Sequence, residues 1–243
     1  MTDFNFDNRQ IAVKALVGSH NYNLDTIASD EDFKFFVVPN FDDLYAGKFF
    51  AKAEQSVTLD FDCHDIRQLV ALIMKANLNF IEVLWSQRVQ YDPALAELFY
   101  ARDGLSMMNL PAFKNATYGM HLEKMAALTK GTAKTMWQVK KSGWDWKQGC
   151  HALRCLYVLE NLAEGMTMGE ALWFENGNAQ RDVLLAVKAG EYTLDEFRSL
   201  VENWHNTQKE DTWKFYADKK PVEEVRGWAE WFIKEYVRKK MKE

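Results

Sequence analysis

Two closely spaced pairs of aspartates are the residues of this sequence that point most directly to chemistry. Asp30 and Asp32 are separated by one residue at the start of the apolar run FKFFVVP, and Asp60 and Asp62 repeat that spacing further along. Alternate residues of a strand point to the same face, so each pair would project two carboxylates together. Because Mg²⁺ prefers oxygen ligands and often binds through one or two carboxylates plus substrate phosphates, the pattern predicts a metal site completed by Asp60 or Asp62.

A Gly-Ser pair stands before these acids, at a position suited to binding a phosphate. Gly18 and Ser19 lie between a predicted strand and a predicted short helix over residues 20–25, and His20 follows them directly. The backbone N–H groups and the hydroxyl of such a turn can bind a phosphate, and a helix N-terminus adds positive potential. A Gly-Ser turn and paired aspartates are each common in solvated loops, but their order and spacing together favour metal-assisted chemistry on a phosphate group.

Three short runs rich in β-branched and aromatic residues predict the strands that must position these side chains. They cover residues 11–17, 33–39 and 57–63. From Asp65 onward, apolar residues recur at intervals of three and four, which is typical of helices. The sequence therefore predicts an α+β protein, with a small N-terminal mixed sheet and flanking helices in residues 1–100 and a larger C-terminal helical bundle in residues 101–243.

Capping residues mark where several of the helices begin and end. Asp92-Pro93 looks like an N-cap followed by proline at the first helical position, and Thr193-Leu-Asp-Glu196 has the form of a capping box. Gly165 and Gly190 stand where helices should stop. The Trp, Leu and Met residues that recur along these helices are interpreted as core.

A basic segment stands out from an otherwise acidic chain. The whole protein has a formal net charge of −5, whereas the segment from Phe113 to Arg154 contains eight basic and two acidic residues. Within it, Lys147, His151 and Arg154 would share one face of a helix. These three side chains are candidates for binding a phosphate, and the alternative is an ordinary helix surface with solvated cations.

Three tryptophans of the same segment alternate with lysines. Trp137, Trp144 and Trp146 could provide the aromatic faces among cations that sites for single-stranded nucleic acid use, although burial in the core is the commoner use of tryptophan.

Lys188 stands beside Gly190, near a predicted helix end. A lysine there favours the negative helix terminus without any ligand, and a phosphate role is the alternative.

The remaining composition bounds the compartment and excludes some classes of site. Three cysteines without Cys-x-x-Cys spacing are too few and too irregular for a disulfide framework, and no histidine has a partner at the spacing of zinc ligands. The N-terminus is acidic and polar rather than basic and then apolar, and no apolar run approaches the length of a membrane span. We therefore expect a soluble, cytoplasmic protein in a reducing compartment, without zinc.

The order of these motifs resembles a known superfamily, the DNA polymerase β-like nucleotidyltransferases. Gly18-Ser19 is followed after about ten residues by Ser29-Asp30-Glu31-Asp32, which is that superfamily's signature. Within the superfamily the chain is similar to the RlaP-type family, named for an RNA repair pathway. Three later blocks carry this closer resemblance, residues 60–86 with an Asn-x-x-x-x-Glu arrangement, residues 146–165 and residues 184–197.

The resemblance implies roles for the candidate residues. Asp30 and Asp32 would bind metal, Ser19 would contact the phosphates of a nucleotide, and Asp60 occupies the position where the family has its third acid, with Asp62 as a rival. The nucleotide-binding set would comprise Gly18, Ser19, His20, Lys147, His151 and Arg154. Asn23 departs from the family, which usually has glycine there, and asparagine is the residue that best tolerates the left-handed backbone.

The implied activity is transfer of an NMP from an NTP to an acceptor hydroxyl, with release of pyrophosphate. The cofactor would be Mg²⁺, with Mn²⁺ as an alternative, and the acceptor would be RNA, either a tRNA or an RNA end. Two other readings stay open. The chain could be an inactive nucleotide-binding or protein-binding module, or a toxin or antagonist that modifies protein hydroxyls.

Overall fold

The computed structural model describes residues 4–27, 29–55 and 60–243, and it has the mixed architecture that the sequence predicts. Within these residues the chain forms one five-stranded sheet and thirteen α-helices, with three short 3₁₀ helices. The predicted α+β class is confirmed. The strands are β1 (Ile11–Val17), β2 (Asp32–Val37), β3 (Ala51–Gln55), β4 (Asp60–Asp65) and β5 (Val89–Tyr91).

The sheet has the strand order β3-β4-β2-β1-β5. β2 and β4 run parallel, and every other neighbouring pair is antiparallel. The three strands predicted from the sequence correspond to β1, β2 and β4, while residues 56–59 of the third prediction lie outside the described residues. β3 and β5 were not predicted, because β3 (AKAEQ) lacks large apolar residues and β5 has only three residues.

The two faces of the sheet differ in chemistry because side chains alternate along each strand. On one face, Phe35 and Val37 of β2 pack with Phe61 and Cys63 of β4 and with Phe6 in a buried cluster. The residues between them in β2 and β4 point to the opposite face and include the polar and charged residues Asp32, Lys34, Asp60, Asp62 and His64. The packed face therefore fixes the strands that carry the polar face.

The chain divides into two compact units. The first comprises the described residues up to Asn109 together with Pro221–Glu243, and the second comprises Leu110–Lys220. The functional division at residue 100 that the sequence suggested stays a prediction. The helices of the first unit are α1 (Phe41–Tyr45), α2 (Leu69–Met74), α3 (Leu78–Leu84), α4 (Ala96–Tyr100), α5 (Arg102–Met107) and α13 (Glu223–Lys240).

Specific polar contacts with Asp92 hold the C-terminal helix α13 in the first unit. Lys240 Nζ lies 3.0 Å from Asp92 Oδ2, and the Tyr236 hydroxyl donates to the same oxygen at 3.2 Å. Asp92 also accepts from the backbone N–H of Ala94 at 2.9 Å, which confirms the predicted N-cap before Pro93. One aspartate thus caps a 3₁₀ helix and binds the end of α13.

The second unit is built around α8, whose residues are almost all buried. Its helices are α6 (Leu110–Ala127), α7 (Met136–Ser142), α8 (Trp146–Ala163), α9 (Met168–Leu172), α10 (Ala179–Ala189), α11 (Leu194–Thr207) and α12 (Lys209–Ala217). α6, α9, α10 and α12 pack against α8. The capping box at Thr193 and the left-handed Gly190 after α10 are confirmed.

None of the helices in the described part of the chain is both long enough and apolar enough to cross a membrane. The three cysteines, Cys63, Cys150 and Cys155, are all buried and carry free thiols.

His121 on α6 gives the second unit a specific dependence on pH. The ring is buried, and its Nδ1 donates to the Ala152 carbonyl of α8 at 3.0 Å. Burial lowers the pKa of His121 from 6.5 to about 4, and the nearby charges of His205 and Lys209 act in the same direction. An unfolded chain would bind a proton on this residue well before the native protein does.

We predict that acidification destabilises the protein partly through His121. Between the unfolded and native pKa values the unfolded state binds more protons, so stability falls as pH falls, by about 2 kcal/mol from pH 8 to about pH 5 for this one residue. In His121→Asn, where Nδ2 can replace the Nδ1 donor, the free energy of unfolding in urea should fall less over that range by about this amount. Equal losses in both proteins would contradict the prediction.

Candidate functional site

Parallel pairing of β2 and β4 places two of the predicted acids side by side. Asp32 and Asp60 are Cα partners at the first position of their strands, and both are partly exposed. They lie on the same face of the sheet because they occupy equivalent positions in the two strands. The structure therefore brings together one acid from each of the two predicted pairs.

Asp62, the rival for the third acid, is engaged by two neighbouring side chains. Lys34 Nζ and His64 Nε2 each donate to Asp62 Oδ2 at 2.8 Å. Burial would raise the pKa of Asp62, but these hydrogen bonds and the charge of Lys34 outweigh it and lower the pKa to about 2. The Lys34 side chain also lies over the Phe80 ring, with Nζ 4.6 Å from the centroid. Asp62 is thus an ionised partner of a largely buried lysine.

Asp30 lies before β2 rather than at the start of it. The strand begins at Asp32, and Asp30 is an exposed residue of the preceding segment. The sequence analysis expected Asp30 and Asp32 to lie together on one strand. Only Asp32 lies on β2, so this expectation is wrong.

The Gly-Ser turn approaches Asp32 closely. Val17, the last residue of β1, is the Cα partner of Asp32, so Gly18 follows immediately beside this acid. Gly18 has φ +74°, and a Cβ built on it would lie 2.8 Å from Asp32 Oδ2. Glycine is required here for two reasons, its left-handed backbone and the room it leaves for a carboxylate.

Two residues that the sequence analysis did not assign to the site hold this turn, Glu82 of α3 and Asn21 of the turn itself. The backbone N–H of Gly18 donates to Glu82 Oε2 at 3.0 Å, and Asn21 Nδ2 donates to the Glu82 carbonyl at 3.0 Å. Asn21 Oδ1 in turn accepts from the backbone N–H of Gln87 at 2.9 Å. Glu82 and Asn21 are both buried. The signal for Glu82 was the Asn-x-x-x-x-Glu spacing, whose Asn77 is the N-cap of α3.

A 3₁₀ helix extends over Gly18–Tyr22, so the predicted helix over residues 20–25 is wrong in its bounds. Ser19 lies in its first turn, and its carbonyl accepts from Leu24 N–H at 3.0 Å. Asn23 adopts φ 57° and ψ 36°, which confirms that asparagine supplies the left-handed conformation at this position.

His20 lies in the middle of the 3₁₀ helix that begins at Gly18. Its Nδ1 is 3.4 Å from Asp25 Oδ2, and its Nε2 is 3.5 Å from the Ser29 carbonyl oxygen. The imidazole therefore contacts both the intervening segment, at Asp25, and the first residue of the second motif, Ser29. Its contact with a nucleotide stays a prediction.

The carboxylates at the N-terminal ends of β2 and β4, which form one edge of the sheet, suit a hard divalent cation. Asp32 and Asp60 offer carboxylate oxygens, and Gly18 leaves space beside Asp32. Mg²⁺ commonly binds through one or two carboxylates together with substrate phosphates, so these residues fit such an ion. Across the described ranges, no three His, Cys, Asp or Glu side chains form a group able to hold a metal.

The second unit contains the predicted basic helix. Lys147, His151 and Arg154 all lie on α8, where Lys147 is exposed and Arg154 is buried. The pKa of His151 is lowered well below its usual value, first by burial and then by the charges of Arg154, Lys147, Lys124 and Lys188. The charges of four basic residues, from α6, α8 and α10, thus act on His151 in the same direction as its burial.

The tryptophans of the basic segment belong mainly to the core. Trp144 is fully buried against Phe197, and Trp146 is buried against Gly190, where the Cβ of any other residue would clash with the indole. Trp137 is exposed and packs its ring edge-on against Trp146. The core interpretation is therefore confirmed for Trp144 and Trp146.

Comparison with known proteins agrees with the motifs. The model of one family, RlaP, described as the RNA repair pathway DNA polymerase beta family, matches residues 5–226. Because the match covers most of the chain, the protein belongs to this family. Its description points to a polymerase β-like nucleotidyltransferase, and such enzymes generally use divalent metals. A search of curated proteins gave no significant match.

We predict that the carboxylate oxygen of Glu82, rather than its bulk, stabilises the Gly-Ser turn. Glu82→Gln keeps an oxygen acceptor for the Gly18 N–H, whereas Glu82→Met fills similar space without one. Leaving a buried donor unsatisfied costs about 1–3 kcal/mol, so Glu82→Met should be less stable than Glu82→Gln by that amount in urea unfolding. Equal stability of the two variants would contradict this role.

Proposed function

We propose that this member of the RlaP family transfers an NMP from an NTP to a hydroxyl of an RNA acceptor, with release of pyrophosphate. The observation that carries the proposal is the pairing of Asp32 with Asp60 beside Gly18. Two carboxylates and a left-handed glycine turn meet at one edge of the sheet. Such an arrangement suits a divalent cation and the phosphates of a nucleotide.

Each residue of the edge has a separate task in this proposal. Asp32 and Asp60 would bind the cation, and Ser19 would contact the nucleotide phosphates. Asp30, which the structure does not group with them, would have to move towards them to serve as a further ligand. Bound Mg²⁺, or Mn²⁺, would neutralise the charge that develops on the attacking and leaving oxygens of an in-line displacement. Asp60 accepts the proton of the acceptor hydroxyl, whose oxygen bonds to the α-phosphorus as the bond to pyrophosphate breaks.

Asp62 has a positioning role in the proposal rather than a ligand role. Its carboxylate accepts hydrogen bonds from both Lys34 and His64, and Lys34 is largely buried. Withdrawing Asp62 to a metal would leave that ammonium without its carboxylate, which is costly in a buried position. The pairing therefore supports Asp60 as the third acid.

Two features support retained activity and an RNA acceptor. Asn23 takes the left-handed conformation that glycine usually supplies in the family, so this departure leaves the turn intact. The RNA acceptor rests on the family description and on the basic residues of the second unit. Within the second unit, Lys147, His151 and Arg154 stay proposed phosphate-binding residues on the strength of the family resemblance.

The test is transfer of label from each α-labelled NTP, with Mg²⁺ and a mixture of total RNA and cell protein. The unmodified protein should label RNA. Loss of one metal ligand removes several kcal/mol of charge stabilisation, so Asp32→Asn and Asp60→Asn should each lower the rate by about 100-fold or more. Asp62→Asn should lower the rate by a smaller factor, about tenfold, which is the low end of the effect of a disturbed supporting residue.

The outcomes separate the competing functions. Label in protein would replace RNA by a protein hydroxyl as the acceptor. NTP binding without any transfer would favour the inactive module. A larger effect of Asp62→Asn than of Asp60→Asn, in variants that unfold at the same urea concentration as the unmodified protein, would reverse the assignment of the third acid.

We further predict that Gly18→Ala abolishes most of the transfer activity through Asp32. Gly47 provides a matched control, because it also has a positive φ, of +61°, but a Cβ there would contact nothing within 4 Å. Both substitutions should cost about 1–2 kcal/mol for the left-handed alanine. Only Gly18→Ala should displace the Asp32 carboxylate and lower the rate, and equal activity of the two variants would contradict the proposed geometry.

A further inference from the structure

A surface of the second unit combines aromatic rings with lysines in a way that the proposed function does not use. It is formed by Lys114 and Tyr118 of α6 and by Lys209 and Trp213 of α12, and we call it the lysine–aromatic surface. All four side chains are partly exposed. α6 and α12 pack against each other, which brings together residues far apart in the sequence.

The lysines lie against the rings. Lys114 Nζ is 5.5 Å and Lys209 Nζ is 5.9 Å from the Trp213 ring centroid. Lys209 Nζ is also 5.5 Å from the Tyr118 centroid, and it donates to the Tyr118 hydroxyl at 3.5 Å. The Tyr118 and Trp213 rings meet edge to face with centroids 5.0 Å apart. Two ammonium groups, those of Lys114 and Lys209, therefore lie near the Trp213 ring.

The positive charge of this surface is not neutralised locally. Neither Lys114 nor Lys209 forms an ion pair within the part of the chain that the structure describes. The acids next to Lys209, Glu210 and Asp211, lie 2.9 Å and 3.1 Å from the ammonium of Lys214. In a protein of net charge −5, two lysines held together without a carboxylate partner mark a surface suited to an anion.

The rings are held in place from beneath. Tyr118 stacks on the buried ring of His121, with centroids 5.5 Å apart and an interplanar angle of 19°. Trp213 packs against Trp204, whose Nε1 donates to Glu160 Oε2 at 2.8 Å. Aromatic faces fixed in this way lose little conformational entropy when a flat ligand stacks on them.

We propose that the lysine–aromatic surface binds a single-stranded polynucleotide, with bases on Tyr118 and Trp213 and phosphates on Lys114 and Lys209. Every base has a π-face, so stacking tolerates any sequence, and lysines near the rings follow the backbone. A base that stacks on Trp213 replaces an exposed cation–π contact, which is weak, and frees the ammonium to bind phosphate. The proposal shares with the proposed function only a polynucleotide partner and does not require transfer activity.

The test is binding of a fluorescent single-stranded RNA of about 12 nucleotides, a length that one such groove can cover, measured by anisotropy without Mg²⁺ or NTP. The triple variant Lys114→Gln, Lys209→Gln, Trp213→Leu should weaken binding by about tenfold or more, since it removes a stacked base and two phosphate contacts. Its slope of log affinity against log salt should be smaller by about 1.4, or 0.7 for each lysine. Tryptophan fluorescence should be quenched by RNA in the unmodified protein but less in Trp213→Leu.

A matched control lies on α13 of the first unit. Lys234→Gln, Trp231→Leu, Lys239→Gln removes the same charge and one exposed tryptophan, and it should leave the dissociation constant almost unchanged. An equal loss in the control would show that only net charge matters and would overturn the proposal. If the triple variant fails to fold, the double variant Lys114→Gln, Lys209→Gln should still reduce the salt slope.

Other outcomes identify other ligands. Complete competition by a mononucleotide would assign the surface to a free nucleotide. A difference in oligomeric state between the unmodified protein and the triple variant, measured by light scattering, would assign it to a second copy of the chain. Either result overturns the proposal. Asp32→Asn should retain RNA binding, so loss of transfer with binding intact separates failure at the sheet from failure at this surface.

Discussion

Parallel pairing of β2 with β4 is the constraint on which the candidate site depends. In this register Asp32 stands beside Asp60, and Lys34 stands beside Asp62. Because side chains alternate along a strand, a shift of β4 by one residue would send its acids to the opposite face, among the phenylalanines. The buried cluster of Phe35, Phe61 and their neighbours opposes such a shift. The apolar face thus specifies the arrangement of the polar one.

The polar face divides into two parts with different electrostatics. Farther along the strands, Lys34, Asp62 and His64 satisfy one another through short hydrogen bonds. At the start of the two strands, Asp60 is paired with Asp32, and Asp32 lies next to the turn that Glu82 holds through the Gly18 N–H. Lys34 is paired with Asp62, so Asp32 and Asp60 are the two carboxylates of this face that best suit a divalent cation.

The sequence was informative where the relevant signals are local. Strand alternation predicted that Asp60 and Asp62 share a face, and the left-handed tolerance of asparagine predicted the conformation of Asn23. Strand alternation could not choose between Asp60 and Asp62, because it treats them alike. The resemblance favoured Asp60, and the cross-strand pairing of Asp62 with Lys34 supports that choice.

Contacts between distant parts of the chain explain what sequence reasoning missed. Glu82 meets Gly18 across 64 residues. The lysine–aromatic surface joins Lys114 to Trp213, and neither residue stood out alone.

Anomalous diffraction from crystals grown with Mn²⁺ and a non-hydrolysable NTP analogue tests the central claim most directly. The account predicts Mn²⁺ bound by Asp32 and Asp60 with the Lys34 and Asp62 pair intact. Mn²⁺ on Asp62, with Lys34 displaced, or Mn²⁺ away from this edge of the sheet, would contradict it.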